Sequence, residues 1–487
     1  MNLTHYHDAL RIFKEIETVR KDTLGERHND YLTTKHNIGH CLMNLTHYHD
    51  ALRIFKEIET VRKDTLGDRH DSYLTAKHSI GHCLMNLSHY HDALRIFKEI
   101  ETVEKDTLGE RHNSYLATKH NIGHCLMNLS HYHDALRIFK EIETVRKETL
   151  GERHNDYLAT KHNIGHCLMN LSHYHDALRI FKEIETVEKD TLGDRHDSYL
   201  TTKHNIGQCL MNLSHYHDAL RIFKEIETVQ KDTLGERHNS YLATKLSIGQ
   251  CLMNKSHYED ALSIFKEIEI VWNETIGQRH GKYLIGKICI GECLKRMKAL
   301  DEALQILESS KPILSEVFGD HHDQYLRSSF HIGHVLSMKG RFDDALEILE
   351  STKTKQIETF EKSHPKVLKT TSVVGRCLAE KELFDKAHDT LSQALEDGLQ
   401  VLDKEHPIIL SIRINLANCL FGMKRIEEAM NHLTEVEEIS LQRFDDHHSI
   451  YREAVKMKEQ HKQKQKQNEE GVDVSPVTER MQSAKLE

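Results

Sequence analysis

Apolar and polar residues follow a helical spacing in two segments, and the two segments recur together every 42 residues. Within residues 29–70, the first segment predicts a helix over about 30–45, named helix A, and the second a helix over about 48–66, named helix B. The apolar stripe of helix A consists of Ile38, Cys41, Leu42 and Leu45. The apolar stripe of helix B consists of Ala51, Leu52, Phe55, Ile58 and Leu66. Neither helix can bury its stripe alone, so successive helices are expected to stack on each other.

The repeat occurs eleven times without an insertion, as shown by one helix B alanine that recurs from Ala9 to Ala429. The copies are near duplicates up to about residue 270 and then diverge while keeping their register. This predicts an all-α chain of stacked helix pairs rather than the three or so globular domains that 487 residues would otherwise suggest. The predicted parts are a lone helix B of a truncated first repeat (1–29), ten repeats (30–449), a polar C-terminal capping helix (450–469) and a disordered charged tail (470–487).

The repeat carries a recognisable motif, which reads Ile38-Gly39-x-x-Leu42 and then Tyr48-x-x-Ala51-x-x-x-Phe55. It resembles the tetratricopeptide repeat, and the 42-residue unit with its "TLGERH" connector is similar to the kinesin light chain and nephrocystin-3 type. The resemblance implies a right-handed superhelical solenoid of antiparallel helix pairs. The proline that follows the connector histidine in that type is present only at Pro365 and Pro407.

Composition and charge narrow the range of possible partners and cellular locations. The net charge is −10 with 40 histidines counted as neutral, which argues against a nucleic-acid partner because that would need a basic face. No run of the 18–20 apolar residues needed for a membrane span occurs. Nine of the ten cysteines hold one repeat position, where they are expected to be too far apart for disulfides. Together with the lack of a signal peptide, this predicts a cytoplasmic protein with reduced thiols.

No motif for catalysis is present: we find no phosphate-binding loop, nucleophile elbow or HExxH sequence. A catalytic site needs one unique constellation, whereas every feature here recurs many times. The sequence therefore predicts a protein that is not an enzyme and that holds no cofactor.

The polar side of helix A is the predicted binding surface. In the first full repeat it carries Thr33, His36, Asn37, His40, Met43 and Asn44, and these residues with their equivalents are named the helix A surface. The resemblance implies that this side binds extended peptides. It also carries the binding asparagine of the family onto Asn37, Asn121, Asn163, Asn205 and Asn415. An amide can both donate to and accept from a peptide backbone.

Histidine pairs at four-residue spacing are the most distinctive feature of this surface. They are His36/His40, His78/His82, His120/His124 and His162/His166, after which His204 is followed by Gln208. Three interpretations stay open: an ordinary polar groove, a groove that becomes basic and binds acidic peptides near pH 6, and a metal site in which neighbouring pairs supply the roughly four ligands of zinc.

The predicted function is a non-catalytic interaction scaffold or adaptor that binds short linear peptides, acidic ones included, in the groove. An alternative is the sensor part of a larger signalling ATPase of the NB-ARC type, whose catalytic domain lies outside this sequence. A histidine-ladder metal binder is the third hypothesis. Self-association through the uncapped N-terminal end is also expected.

The sequence also gives expectations for four single residues. Asn29 is the predicted N-cap of the first full helix A, and Pro312 is expected to kink or break its helix. Trp272 is expected to be exposed as a contact point, because its equivalents are charged or polar, or alternatively to pack on the next, divergent repeat. Lys35 is expected to pair with a glutamate of helix B.

Overall fold

The computed structural model describes residues 3–443 and 449–469. Within those ranges the chain forms 22 helices and no strand, so the predicted all-α fold class is confirmed. None of these helices is apolar over a sufficient length to cross a lipid bilayer. The predicted tail at 470–487 lies outside the described residues.

Helices of type B and type A alternate along the chain. The helices of type B are α1 (Leu3–Leu24), α3 (Tyr48–Leu66), α5 (Tyr90–Leu108), α7 (Tyr132–Leu150), α9 (Tyr174–Leu192), α11 (Tyr216–Leu234), α13 (Tyr258–Thr275), α15 (Leu300–Phe318), α17 (Phe342–Thr359), α19 (Phe384–Leu399) and α21 (Ile426–Arg443). The helices of type A are α2 (Asn29–Asn44), α4 (Asp71–Asn86), α6 (Asn113–Asn128), α8 (Asn155–Asn170), α10 (Asp197–Asn212), α12 (Asn239–Asn254), α14 (Gly281–Arg296), α16 (Asp323–Met338), α18 (Pro365–Glu380) and α20 (Pro407–Gly422). The last helix is α22 (Ser449–Glu469), which contacts α20 and α21.

The helices form two compact units, Met1–Asn205 and Ile206–Glu487, which we name unit 1 and unit 2. In unit 1 each helix from α1 to α8 packs against the next helix in the chain, and in unit 2 the same holds from α11 to α21. In unit 2, each helix A also contacts the helix A of the following repeat, from α12 to α20. The helix A surfaces of neighbouring repeats therefore lie side by side.

The connection from helix A to helix B is a three-residue turn that reverses the chain. After α2, the backbone N–H of Thr46 donates to Met43 O at 3.0 Å and that of His47 donates to Leu42 O at 2.8 Å. Thr46 adopts a φ of 64°, and the equivalent positions in the later repeats are also left-handed. Hydrogen bonds of this kind satisfy the last carbonyl groups of a helix and fix where the next one begins.

The connector histidine caps helix A. The Nδ1 atom of His28 accepts a hydrogen bond from the backbone N–H of Asp30 at 3.2 Å, and the equivalent bond is present in the nine following repeats. The prediction of Asn29 as the N-cap was therefore wrong by one residue. A neutral imidazole supplies the acceptor that a serine or aspartate oxygen usually provides.

Each repeat has a core in which helix A approaches helix B closely. In the third full repeat, Phe139 is fully buried and packs against Gly123. A Cβ atom at Gly123 would lie 2.6 Å from Phe139 Cζ, so the ring occupies the space that a side chain would need. The glycine of the tetratricopeptide motif is required here by this close approach.

A buried polar position on helix B alternates in charge from α3 to α9, as Arg62, Glu104, Arg146 and Glu188, whereas the equivalent Arg20 of α1 has the same charge as Arg62. Each of these side chains reaches helix A of the following repeat. For example, Arg146 Nη1 donates to Thr160 Oγ1 at 2.8 Å, and Glu188 accepts from the hydroxyl of Thr202 at 2.5 Å. Hydrogen bonds to neighbouring side chains and backbone satisfy these groups away from water.

Trp272 occupies the equivalent position in unit 2, where it is 1% exposed. The expectation that it is exposed was wrong, because the polar equivalents on which it was based are themselves buried. The ring packs on Gly286, where an added Cβ would lie 3.4 Å from Trp272 Cζ3. The predicted break at Pro312 was also wrong, since α15 continues past it and buries Ser310 and Leu314 on either side.

Ion pairs and free thiols follow the sequence-based expectations. Lys35 pairs with Glu57 of helix B and lies over the ring of Tyr31, 5.7 Å from its centroid. The equivalent Lys245 pairs with Glu267 at 2.7 Å. All ten cysteines are buried and form no disulfide.

Helix α1 buries its apolar stripe less completely than the other helices of type B. It packs on α2, but Ala9 and Phe13 remain half-buried, whereas their equivalents Ala51 and Phe55 are 0% exposed. Val19 on the same helix is 61% exposed.

Candidate functional site

The helix A surface of unit 1 contains a cleft of about 500 Å³ that is lined by α6 and α8, by the end of α9 and by the start of α10. Two neighbouring predicted histidine pairs line it together with one of the predicted asparagines, namely His120, His124, His162, His166 and Asn163. The structure therefore brings residues of two consecutive repeats into one polar cleft, as expected for side chains that share a position in stacked repeats.

In two of the four histidine pairs, the two imidazole rings of the pair contact each other directly. The Nε2 atoms of His36 and His40 lie 3.0 Å apart, and those of His120 and His124 lie 3.2 Å apart. Within each pair one ring can donate its Nε2–H to the other only if the accepting imidazole is neutral. The rings pack edge-on against the buried phenylalanine of their repeat, with His36 at 5.2 Å from the Phe55 centroid.

The other two pairs use their first histidine to contact a buried glutamate. His78 Nε2 lies 3.4 Å from Glu104 Oε1, and His162 Nε2 lies 3.6 Å from Glu188 Oε1. Burial raises the pKa of Glu188, but hydrogen bonds from His162, Ser198 and Thr202 outweigh that effect and leave its pKa below the usual value. The four pairs thus belong to two alternating environments, one beside an arginine and one beside a glutamate.

Burial keeps most of these histidines neutral. It lowers the pKa of His36, His82, His166 and His204 to about 4, with the positive charge of neighbouring histidines or Arg62 adding to the effect where they are close. For His120 the same causes lower the pKa to about 3. The lowered pKa disfavours a positive charge on these five side chains at pH 6, so they do not favour the hypothesis of a groove that becomes basic near that pH.

The predicted asparagines of unit 1 contact histidines of the preceding repeat. The Nδ2 atom of Asn163 lies 3.2 Å from the Nε2 atoms of both His120 and His124. Asn121 and Asn205 each reach one preceding histidine, His82 and His166, at 3.5 Å. Neighbouring repeats are therefore joined by a chain of amide and imidazole contacts along the helix A surface.

Two further predicted asparagines differ in their environment. Asn37 is half-buried in the first full repeat. Asn415 is 7% exposed, and its amide donates to the backbone oxygen of Ser372 at 3.1 Å and to the Ser372 hydroxyl at 2.9 Å. The Asn415 amide nitrogen thus joins α20 to α18 within the fold.

The described residues contain no group of three or more histidine, cysteine, aspartate or glutamate side chains placed to hold a metal ion. The histidine pairs supply two nitrogen atoms each, and zinc sites in proteins use about four ligands. The metal hypothesis therefore gains no support from the geometry.

Unit 2 carries a cluster of charged residues on its helix A surface, and this cluster was not predicted from the sequence. We name it the cationic cluster, and it consists of Lys295, Arg296, Arg327, Lys369 and Arg376, with the carboxylate of Glu292 and the imidazoles of His331 and His334. The carboxylate of Glu453 on α22 is near enough to Arg376 and Arg296 for their charges to interact. A signal was present in the sequence, because Arg327 and Lys369 stand at the position of Thr33.

The carboxylate of the cationic cluster is fully engaged. Glu292 Oε2 lies 3.0 Å from Arg327 Nη2 and 3.2 Å from His331 Nε2. Burial raises the pKa of Glu292, but the charges and hydrogen bonds of His331 and the nearby cations outweigh it and lower the pKa well below its usual range. Glu292 therefore remains ionised and is balanced by its own partners.

Comparison with known proteins agrees with a helical repeat array. Family models of the tetratricopeptide repeat match residues 116–156 and 284–354, one stretch in each unit. Stacked two-helix units with a 42-residue period define a protein of the helical repeat class. Tetratricopeptide repeats are therefore present in both units, which confirms the sequence prediction of this repeat type.

Solved structures similar to this chain include the following three. One contains nearly identical TPR-like repeats of a putative kinesin light chain from Podosopora anserina, with 17% identity, coverage of 42% of this chain and 98% of the other, and a TM-score of 0.39. Another is a Rap protein complexed with competence and sporulation factor, with 12% identity, coverage of 72% and 99%, and a TM-score of 0.47. The third is BtubC (BKLC) from P. vanneervenii, with 11% identity, coverage of 48% and 93%, and a TM-score of 0.41. A comparison with curated protein sequences gives no significant match.

Proposed function

We propose that this protein is a non-catalytic interaction scaffold that binds extended peptide segments along the helix A surface. The observation that carries the proposal is the cleft of unit 1, in which side chains of two consecutive repeats meet. An extended peptide is a ligand that matches this geometry, because it can follow a line of repeats rather than enter a single closed pocket.

The chemistry of the cleft suits a peptide backbone. Neutral imidazoles and amides each offer both a donor and an acceptor, which are the groups that a peptide N–H and C=O require. The positions equivalent to Thr33, among them Ala117 and Ala159, are exposed and leave room beside these polar groups. Recognition of this kind tolerates many ligand sequences, because most contacts go to the main chain.

Blocking the cleft tests the proposal. Tryptophan at Ala117 and Ala159 would fill the helix A surface between repeats, whereas Arg137→Trp places the same ring on the exposed side of helix B in α7. Each variant would be tested with an immobilised library of degenerate peptides, followed by affinity measurements on the peptides that bind the wild type. We expect at least a tenfold loss for the double variant and less than a twofold change, about 0.4 kcal/mol, for the control.

Equal affinity of the two variants, with helicity unchanged by circular dichroism, would refute the proposal. The acidic character of the ligand, the cytoplasmic location and the alternative of a sensor attached to a signalling ATPase remain hypotheses.

A further inference from the structure

The cationic cluster of unit 2 holds a buried lysine amino group that has no anionic partner among the described residues. Lys295 is 2% exposed, and its Nζ atom lies 3.2 Å from His331 Nδ1 and 3.3 Å from His334 Nδ1. Among the residues that the structure describes, no carboxylate lies within ion-pair distance of it. Two of its three N–H groups are used by the imidazoles, and the third remains available.

The hydrogen bonds of the two histidines fix their donors. His331 donates its Nε2–H to Glu292 and accepts from Lys295 at Nδ1. His334 likewise accepts from Lys295 at Nδ1, so its proton lies on Nε2. Within the described part of the chain that Nε2–H makes no hydrogen bond, so His334 is a second available donor beside Lys295.

Three more cations belong to the same surface. The Nζ atoms of Lys369 and Lys295 both lie over the ring of Phe330, at 5.1 Å and 5.9 Å from its centroid. Arg376 donates to the Ser337 hydroxyl at 3.2 Å, which leaves most of its five N–H groups unused. Neither Lys369 nor Arg376 forms an ion pair with a described carboxylate, and the exposed Arg296 does not either.

The charges of the cluster act on one another. Burial lowers the pKa of Lys295 well below its ordinary value, and the positive charges of Arg296, Lys369 and Arg376 add to this effect. Burial also lowers the pKa of Lys369, with Arg296 and Arg327 contributing. Uncompensated buried charge is costly, so a fold that gathers these groups gains if an anion binds among them.

We propose that the cationic cluster is a binding site for a doubly charged oxyanion of the phosphate type, carried by a peptide on the helix A surface. Glu292 is already balanced by Arg327 and His331, and Glu453 offsets one charge of the pair Arg376 and Arg296, so the remaining excess charge is shared by Lys295, Lys369 and these two arginines. One carboxylate would leave most of that charge unbalanced, whereas a phosphoryl group brings nearly two negative charges and three acceptor oxygens. The peptide part of this inference rests on the proposed function, but the oxyanion part does not.

The test compares three degenerate peptide libraries that differ only in the central residue, which is phosphoserine, glutamate or serine. The variant Lys369→Gln/Arg376→Gln removes two charges of the cluster. The control Lys224→Gln/Lys266→Gln removes two exposed charges from helices of type B. We expect the wild type and the control to bind the phosphoserine library at least tenfold more tightly than the serine library. The cluster variant should lose that preference, and inorganic phosphate should compete in the wild type.

Other results would overturn the inference in distinct ways. Equal binding of phosphoserine and glutamate libraries would show that a single carboxylate satisfies the site. Equal binding of all three libraries would refute the oxyanion site and leave the peptide scaffold standing. Competition by phosphate without any peptide preference would overturn the peptide-borne part. If the cluster variant loses helicity, Lys369→Arg, which keeps the charge, should retain the preference, and its loss would count against the proposal.

Discussion

Mild acidification is expected to destabilise unit 1, because buried neutral histidines must take up protons when the chain unfolds. The side chains concerned are His36, His82, His120, His166 and His204. In the unfolded chain a histidine has a pKa of about 6.5, whereas in the fold these values are lowered to about 4 or below. The unfolded state therefore binds more protons between these values. Stability should be complete above pH 6.5 and should fall as the pH decreases toward 4.

The size of the effect follows from the same values. At pH 5 a histidine with a folded pKa of about 4 and an unfolded pKa of about 6.5 destabilises the fold by roughly 2 kcal/mol. Five such groups give an upper limit of roughly 10 kcal/mol, which is comparable to the whole stability of a typical domain. Interactions between neighbouring histidines reduce the total, so the effect per residue is the quantity to measure.

The chain itself supplies the substitution for this measurement. Gln208 and Gln250 stand at the position of His82 and His166, so glutamine is compatible with the site. We expect His82→Gln/His166→Gln to change stability little at pH 7 and to reduce the loss between pH 7 and pH 5 by about 4 kcal/mol, roughly 2 kcal/mol for each histidine removed.

The assay is urea denaturation of the full chain followed by circular dichroism at both pH values, with hydrogen exchange used to assign the loss to helices α3–α9. The control is His49→Gln/His91→Gln, which removes two exposed histidines of helix B. If the wild type, the double variant and the control lose the same stability between pH 7 and pH 5, the burial of these imidazoles does not govern acid sensitivity and the reasoning is wrong.

Three further predictions address packing, ends and metals. Gly123→Ala should cost roughly 1–3 kcal/mol, measured by chemical denaturation, because its Cβ would meet the Phe139 ring; an unchanged midpoint would contradict the close approach. Helix α1 should exchange its amide protons faster than α3, because its stripe is only half-buried, and light scattering should detect association through it; equal protection in a monomer would refute this. Zinc titration should give binding no tighter than micromolar, since each histidine pair offers two ligands; a tight stoichiometric complex would restore the metal hypothesis.

The sequence predicted the helices well, because the residues that start and end each helix recur at the same positions in successive repeats. Helix B of the first full repeat begins and ends where predicted, and helix A differs by one residue. The error lay in the cap: general preferences favour Asn29, whereas the backbone places His28 in extended conformation with its Nδ1 toward the first turn. Histidine is not among the residues that are generally preferred at the N-cap, so this cap could have been inferred only from its recurrence in every repeat.

The candidate site was predicted in outline and not in its environment. Four-residue spacing correctly placed each histidine pair on one face, but spacing does not report how deeply an imidazole is buried, and burial sets its pKa. The prediction that Trp272 is exposed was wrong for a related reason. A position that accepts arginine, glutamate and glutamine need not be exposed when neighbouring threonines and backbone groups form hydrogen bonds with those polar side chains. The cationic cluster was missed because the surface was interpreted from the early repeats, where Thr33 gives no indication of Arg327.

The alternation of Arg62, Glu104, Arg146 and Glu188 bears on how near-identical repeats find their correct order during folding. Any helix B of unit 1 could dock on the wrong helix A, since the apolar surfaces are almost the same. From α3 to α9 the native order places each buried charge one repeat from the opposite charge, at a spacing of about 10 Å, and only Arg20 at the start of the array adjoins a like charge, that of Arg62. A stack that skipped one repeat would bring Arg62 next to Arg146, at a cost of roughly 1–2 kcal/mol for like charges at that spacing. The alternation therefore makes a stack that skips one repeat less stable than the correctly ordered stack, although the repeats are otherwise interchangeable.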